Sequence, residues 1–508
     1  MKKLLYILFH RSVYIGLSLI AQVIALVVTV NFFSEHTTGL YWFFIFLSIA
    51  AAMLIVGSRM DPAYKIAWLL LVLPFPVFGG IFYLLVGGGH IPQRTSRRMK
   101  RIAEQSEENL KDDFKADDLL PLGEDAASQA RYLENFAHCP AYTNTETEYF
   151  SLGDFAFPRM LEELRKAERY IFLEYFILQP GVFWNSILEI LEEKAAQGVE
   201  VRLIYDDMGC MFSLPRDYNE QMAARGIQCR VFNRFVPVMS LRLNNRDHRK
   251  LMIIDGKVGF TGGINLADEY INQKQRFGHW KDSVILLEGD AVWSMTVMFL
   301  TMWDHCCGWE EEFHHFRPEP APARPWTGYV QPYTDTPLDR EAVGQAVYLN
   351  MIAKARKYIY ITTPYLVIDT ATNTALCNAA KSGVDVRIIT PHIPDKRYVF
   401  EVTRAHYPPL LEAGVRIYEY TPGFIHAKNF VVDDRFSTVG TVNLDYRSLF
   451  LHFEDGVWLC EAPCIQDIRR DFEETLRVCQ RISLRQRKYF NPLIQLYRNF
   501  LRIFAPLM

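Results

Sequence analysis

Two stretches of the chain can be laid one under the other without a gap. The first reads HRKLMIIDGKVGFTGGINLADEY from His248, the second HAKNFVVDDRFSTVGTVNLDYRS from His426. His248 meets His426, Lys250 meets Lys428, Asp255 meets Asp433, Gly262 meets Gly440 and Asn265 meets Asn443. His to Asn takes seventeen residues in both, 248 to 265 and 426 to 443. A lone short motif of this kind is more often a strand with a polar start than a site. Two copies at fixed spacing reverse that weighting, and an ordered repeat requires two copies of one structural unit.

The flanking segments repeat in the same order. AERYIFLEYFIL (167–178), GVEVRLIYDD (198–207) and GIQCRVFN (226–233) are answered by ARKYIYITTPYLV (355–367), GVDVRIITPH (383–392) and GVRIYEY (414–420). The offsets are 188, 185 and 188 at Tyr170/Tyr358, Gly198/Gly383 and Gly226/Gly414. Helix-like stretches, SILEILEEKAAQ (186–197) and TALCNAAKS (374–382), lie between them. Short β-rich runs alternating with helices predict parallel βαβ units. The expected fold class is therefore α/β, with one unit over 140–316 and a second over 327–508. RPEPAPARP, four prolines in the nine residues 317–325, makes 317–326 a stiff connector.

The spacing carries chemistry. In a strand, residues i and i+2 share a face, so His248 and Lys250 project together while Arg249 turns away, as do His426 and Lys428 around Ala427. Leu251–Ile254 and Asn429–Val432 then carry each strand into the core, and Asp255 and Asp433 end the runs at a turn. GGIN and GTVN offer a tight turn opening a helix, with Asn265 and Asn443 available to an anion. Two such rims facing each other suit phosphodiester chemistry. A neutral His attacks phosphorus to form a phosphohistidine, splitting one hard displacement into two. The other His protonates the departing alkoxide and then deprotonates the incoming alcohol. Lysines and asparagines surround the equatorial oxygens, where charge develops. No metal or other cofactor is expected, because the ammonium groups supply the positive charge.

This doubled HxKx4D pattern resembles the phospholipase D superfamily over roughly residues 140–508. Within it the chain resembles the bacterial cardiolipin synthases, on NNRDHRKLMIIDG, GGINLADEY, FGHWKDS, TPY, GFIHAKNFVVDD and GTVNLDYRS, preceded by DPAYKIAWLLLVLPFPVFGGIFYLLVG. The resemblance implies a duplicated phospholipase D-like α-β-α sandwich forming one pseudo-twofold catalytic unit, after an all-α N-terminal transmembrane region. It implies catalytic roles for His248, Lys250, Asp255, His426, Lys428 and Asp433, and phosphate binding by Asn265 and Asn443. Asp282 in HWKDS and Glu454 in HFEDG fit the acidic residues that orient the histidines. The implied reaction passes a phosphatidyl group from one phosphatidylglycerol to another, giving cardiolipin and glycerol. By analogy His248 is the nucleophile and His426 the acid/base. The partners expected are phosphatidylglycerol and membrane lipids. The alternatives are a hydrolytic phospholipase D, another phosphatidyltransferase and, with least weight, a membrane-anchored nuclease. A net charge of -3 argues against a nucleic-acid partner held by a global positive field.

The first 88 residues are expected to hold two to three membrane spans. Val13–Phe33, Leu40–Val56 and Ile66–Val86 are apolar runs, and a span needs about 20 such residues. Pro74, Pro76, Gly79 and Gly80 allow the third run to be a kinked or re-entrant hairpin instead. Cardiolipin synthases commonly carry two spans, so a third would be a departure. Basic residues divide five against five about three spans, which leaves orientation tied. Nine cysteines, an odd number that includes adjacent Cys306 and Cys307, suit a reducing compartment. The expectation is a multi-pass protein of the bacterial cell membrane with a cytoplasmic catalytic part, joined by a juxtamembrane linker over 89–139.

Three weaker signals remain. Glu174, Tyr175 and Tyr365 at matching strand ends either line a headgroup pocket or pack as buried strand residues. DHCCGWEEEFHH (304–315) lacks the spacing of a zinc site. The tail from Leu484 interleaves basic and large apolar residues, as either an interfacial helix or a helix packed on the domain.

Overall fold

The computed structural model describes a few positions before Thr38 and then the chain to Leu507, apart from residues 85–100, 236–243, 487–490 and isolated positions or pairs elsewhere. Each half is built on a mixed sheet. The first half contributes β1 (Thr145–Phe150), β2 (Tyr170–Tyr175), β3 (Glu200–Asp206), β4 (Gln228–Phe232), β5 (Lys250–Ile254), β6 (Val258–Gly262), β7 (His279–Lys281) and β8 (Val284–Gly289). The second contributes β9 (Tyr329–Asp335), β10 (Tyr358–Thr362), β11 (Asp385–Pro391), β12 (Arg416–Tyr420), β13 (Gly423–Ile425), β14 (Asn429–Val432), β15 (Phe436–Gly440), β16 (Glu454–Cys460) and β17 (Cys479–Arg481). The strand orders are β1-β8-β6-β5-β2-β3-β4 and β9-β16-β15-β14-β10-β11-β12-β17. Read together they are one topology used twice, with β17 added at one edge.

The parallel strands β2 and β3 are buried on both faces, as crossover helices require, while β4 at the sheet edge is partly exposed. Phe172 packs toward one core and Ile171 and Leu173 toward another, following the two-residue period. The helices α4 (Gly153–Lys166) and α5 (Val182–Ala196) cover the second face. The other face meets α6 (Val292–Cys307), which is buried nearly all round and shares one core with residues of both sheets. The second half is flanked by α7 (Val343–Lys354), α8 (Thr370–Lys381), α9 (Arg397–Ala405), α10 (Tyr446–Phe450) and α11 (Cys464–Leu476), and α12 (Pro492–Ile503) follows.

The N-terminal region departs from the sequence expectation. It forms α1 (Thr38–Gly57), α2 (Pro62–Val72) and α3 (Pro76–Phe82), folded back on one another. Ala51 and Ile55 of α1 bury against Trp68 and Val72 of α2 and Tyr83 beyond α3. Gly80 comes so close to α1 that its N–H donates to Ser48 Oγ at 2.9 Å. A Cβ at Gly80 would collide with the Ser48 backbone. The third apolar run is thus no single span. Pro74 and Pro76 interrupt it, because proline lacks an N–H and clashes with the preceding turn. The 11 residues of α2 reach only about 16 Å at 1.5 Å per residue. Among the described residues no helix is long and apolar enough to cross a membrane, so the expected two to three spans are not supported there. Most of the first run, Val13–Phe33, lies outside the described residues.

Candidate active site

β5 runs antiparallel to β2, with Lys250 opposite Tyr175 at the C-terminal end of the parallel strands. β14 and β10 repeat this, with Asn429 opposite Thr362. Both HxK segments therefore emerge at the sheet end where open α/β folds place ligands. Period-two alternation does the rest. Arg249 points back into the protein, where its Nε donates to Glu174 at 2.7 Å. Glu174 is fully buried with it, so it does not line a headgroup pocket.

The two halves are stitched together just before each histidine. His248 N–H donates to Phe453 O at 2.9 Å, and Phe453 N–H donates to Arg246 O at 2.9 Å. On the other side β13 pairs in parallel with β7, and His426 N–H donates to Lys281 O at 2.7 Å. Each pairing delivers the next acidic residue to a histidine of the opposite half. His248 Nδ1 lies 2.8 Å from Glu454 Oε2, and His426 Nδ1 lies 2.7 Å from Asp282 Oδ2. The carboxylates fully engage the Nδ1 side, which leaves a lone pair on Nε2 of each neutral ring.

Charge accumulates here. Lys250 Nζ donates to His248 O at 2.5 Å, and Lys428 Nζ donates to His426 O. Lys428 Nζ also lies 2.9 Å from His426 Nδ1. That nitrogen cannot accept from Lys428 while donating to Asp282, and the carboxylate is the stronger partner. Burial would raise Asp282, but Lys428 and His426 hold it below its ordinary value. Burial pushes His248 well down, and Lys250, Lys428 and His426 push further. His426 falls to about 4, through burial and then Lys428, against the pull of Asp282. Lys428 itself falls to about 7, chiefly by burial. Two neutral imidazoles thus sit in a buried cleft beside two lysines, whose ammonium groups can receive a phosphate ester.

The other sequence-derived residues divide. Asn265 Oδ1 accepts from Ile177 N–H at 2.9 Å, and its amide donates to Tyr270 OH at 2.8 Å. The Tyr270 ring lies 5.8 Å from that of His426. Asn443 Nδ2 donates to Ser448 Oγ at 3.0 Å, and its Oδ1 has no hydrogen-bond partner among the described residues. Asp255 and Asp433 do not reach the histidines. They sit beyond the far ends of β5 and β14, seven residues after each histidine, or about 23 Å of extended chain at 3.3 Å per residue. Asp255 accepts from the backbone N–H groups of Glu168, Arg169 and Tyr170 at 2.7–2.9 Å. Asp433 does the same for Arg356, Lys357 and Tyr358 at 2.6–2.8 Å. Both adopt positive φ, 54° and 55°, which Asp tolerates. They anchor the turns that precede β2 and β10.

Residues missed from sequence also gather here. Phe176 and His452 lie against His248, with ring centroids 5.2 and 5.5 Å away. Phe424 and Trp280 flank His426 at 5.6 and 5.5 Å. His452 and Trp280 each sit two residues before the acidic partner, a spacing that could have marked them. Asp455 braces the floor, with Oδ1 accepting from Lys250 N–H at 3.2 Å and Oδ2 from Thr261 Oγ1. Ligand atoms of His248, His452 and Glu454 lie within 4.8 Å of one another, a spacing that could hold a metal ion. Lys250 and Lys428 act on the same ring, and their charge opposes a cation there.

A duplicated α/β fold with crossed His–carboxylate pairs defines a phospholipase D-like protein. The fold matches that of phosphatidylserine synthase from Haemophilus influenzae, with a TM-score of 0.56 and 16% identity over 75% of this chain and 98% of the other. Residues 160–285 and 348–476 match the family described as "Cardiolipin synthase, PLD-like domain". Residues 46–88 match "Phospholipase_D-nuclease N-terminal". The chain is 34% identical over 489 residues to a cardiolipin synthase of Geobacillus kaustophilus, covering 95% of this chain and 97% of that one. It is 44% identical over 470 residues to an uncharacterized protein of Streptococcus mutans, covering 91% of this chain and all of that one. The chain belongs to the cardiolipin synthase family of phospholipase D-like proteins.

Proposed function

We propose that the protein is a cardiolipin synthase that transfers a phosphatidyl group between two phosphatidylglycerols. The observation that carries the reading is the crossed pair His248–Glu454 and His426–Asp282, each with its lysine two residues on.

In this reading His248 Nε2 attacks the phosphorus of one phosphatidylglycerol. A P–N bond forms as the P–O bond to glycerol breaks, and the departing oxygen takes a proton from His426. The terminal hydroxyl of a second phosphatidylglycerol then attacks phosphorus and gives its proton to His426. The P–N bond breaks, His248 is restored, and the products are one cardiolipin and one glycerol. Burial and the neighbouring lysines hold both rings neutral. The phosphodiester anion offsets Lys250 and Lys428, which lifts the imidazole that must carry a proton. Those lysines, with Asn265 and Asn443, hold the equatorial oxygens. Asp282 and Glu454 orient the rings. Asp255 and Asp433 take no part in the chemistry.

The exposed apolar side chains of α1, among them Trp42, Phe46 and Met53 at 63–69%, support attachment of the N-terminal region to the bacterial cell membrane. The free thiols of all nine cysteines support a catalytic part on the cytoplasmic side. Detergent-purified protein incubated with phosphatidylglycerol alone tests the reaction. Cardiolipin and glycerol should appear in equal amounts, whereas phosphatidic acid without cardiolipin would make the protein a hydrolase.

A further inference from the structure

The ungapped repeat that aligns the histidines also aligns Glu269 with Arg447, and there the two halves carry opposite charge. Glu269 is buried and closed by an ion pair, 2.8 Å from Arg276. Arg447, at the start of α10, makes no such ion pair among the described residues. Its Nε is buried without a hydrogen bond among the described residues.

Arg447 lines a pocket with Lys396, Tyr365, Asp445 and Tyr446. Asp445 caps α10, accepting from Ser448 N–H at 2.9 Å, and burial raises its carboxyl against the pull of Arg447 and Lys396. The exposed Lys396 lies over the Tyr365 ring, 5.9 Å from its centroid. The pocket adjoins the site on both flanks. Tyr365 packs on Phe424, which packs on His426. Lys396 is among the cations that depress His248, and Arg447 among those that depress His452.

The pocket's outer wall is apolar. Ala505, beyond α12, and Tyr64 of α2 pack with Tyr446 and Val402. The α12 helix is inverted: Arg498 is buried and its Nε donates to Glu401 at 2.7 Å, while Leu493, Leu496, Tyr497 and Phe500 are 53–76% exposed. Ile66 and Leu70 of α2 continue that exposed surface at 54% and 48%. Acyl chains fit such a surface, and a phosphodiester fits two cations, one of them an arginine whose buried Nε has no hydrogen-bond partner among the described residues.

We propose that Arg447 and Lys396 form the phosphate site of the acceptor lipid, holding the second phosphatidylglycerol while its hydroxyl reaches the phosphohistidine. This rests on the reading of the reaction above. The shared chemistry is a phosphate anion, and a free ion is the rival source.

The test compares two acceptors on one enzyme. Full-length protein in detergent with phosphatidylglycerol gives cardiolipin, which needs an acceptor lipid. With labelled glycerol added, it also gives labelled phosphatidylglycerol, which does not. In Arg447→Ala and in Lys396→Ala the ratio of cardiolipin to glycerol exchange should fall about tenfold, the loss expected for a charge-assisted hydrogen bond. Saturation by phosphatidylglycerol should shift upward, with partial recovery in Arg447→Lys. An unchanged ratio in both alanine variants would overturn the acceptor site. Inhibition of the wild type by inorganic phosphate that Arg447→Ala relieves, with that ratio unchanged, would assign the pocket to a free ion and overturn it too. Wild-type protein that makes neither product would remove the underlying reading as well, a result distinguishable from an unchanged ratio.

Discussion

The two halves of the site are alike in what holds the histidines and unlike in what surrounds them. Each imidazole is gripped at Nδ1 by a carboxylate of the other half, and each lysine donates to the carbonyl of its own histidine. Beside His426 lies Trp280, and beside His248 the equivalent position is His452, which burial depresses to about 3. The flank after the first asparagine is closed by Glu269 and Arg276, whereas after the second Arg447 stays open. Crossing joins the two folds in one candidate site. The unlike surroundings suit the different roles proposed for two identical side chains.

Four measurements would break or sharpen this comparison. Replacing His248 or His426 by Ala should each lower transfer by about 10⁴-fold or more, with the double variant little worse, because the pair acts as a unit. Acid-quenched protein should retain labelled phosphate on the polypeptide in His426→Ala but not in His248→Ala. The opposite pattern would exchange their roles. Glu454→Gln and Asp282→Asn should follow, with losses of about 10²–10⁴-fold, since an amide can hold the wrong tautomer. Because the pairs cross, Glu454→Gln should perturb the His248 ring resonances in NMR and leave those of His426 in place. Perturbation of the opposite ring would refute the crossed geometry.

The third is a pH profile. Lys428, depressed to about 7, holds phosphate only when protonated, so kcat/KM should decline as pH rises through about 7. Arg at this position stays charged, so Lys428→Arg should move that limb upward whatever its peak rate. A limb that stays in place would belong to another group. The smallest catalytic effect is expected at the far ends of the strands. Asp255→Asn and Asp433→Asn should each destabilise by about 1–3 kcal/mol, as an amide cannot accept all three backbone N–H groups. Denaturant midpoints measure this, and turnover per folded molecule should stay within about twofold.

Much of this fold was legible because periodicity is local. The strands around Tyr170 and Tyr358, the glycines opening the next strands, and the His-x-Lys alternation all follow from neighbours along the chain. The residue types at the site were legible too, including Asp282 and Glu454 through the family resemblance. Asp255 and Asp433 show where that reading stops. Their spacing marks the end of a strand, but the strand runs away from the rim, so a fixed spacing carried them out of the site. Apolar composition was equally plain in residues 66–86, yet Pro74 and Pro76 divide it into short helices that fold back on α1.

The sequence by itself determined that the chain is a duplicated α/β protein with two histidines, two lysines and two asparagines in matching places. Repetition at fixed spacing is a property of the chain alone. Only the tertiary structure decided that Glu454 serves His248 and Asp282 serves His426, partners 206 and 144 residues apart. It also decided that Arg447 is left without the ion pair that closes Glu269. These are contacts between elements brought together by packing, and no local pattern encodes which carboxylate a buried imidazole will meet.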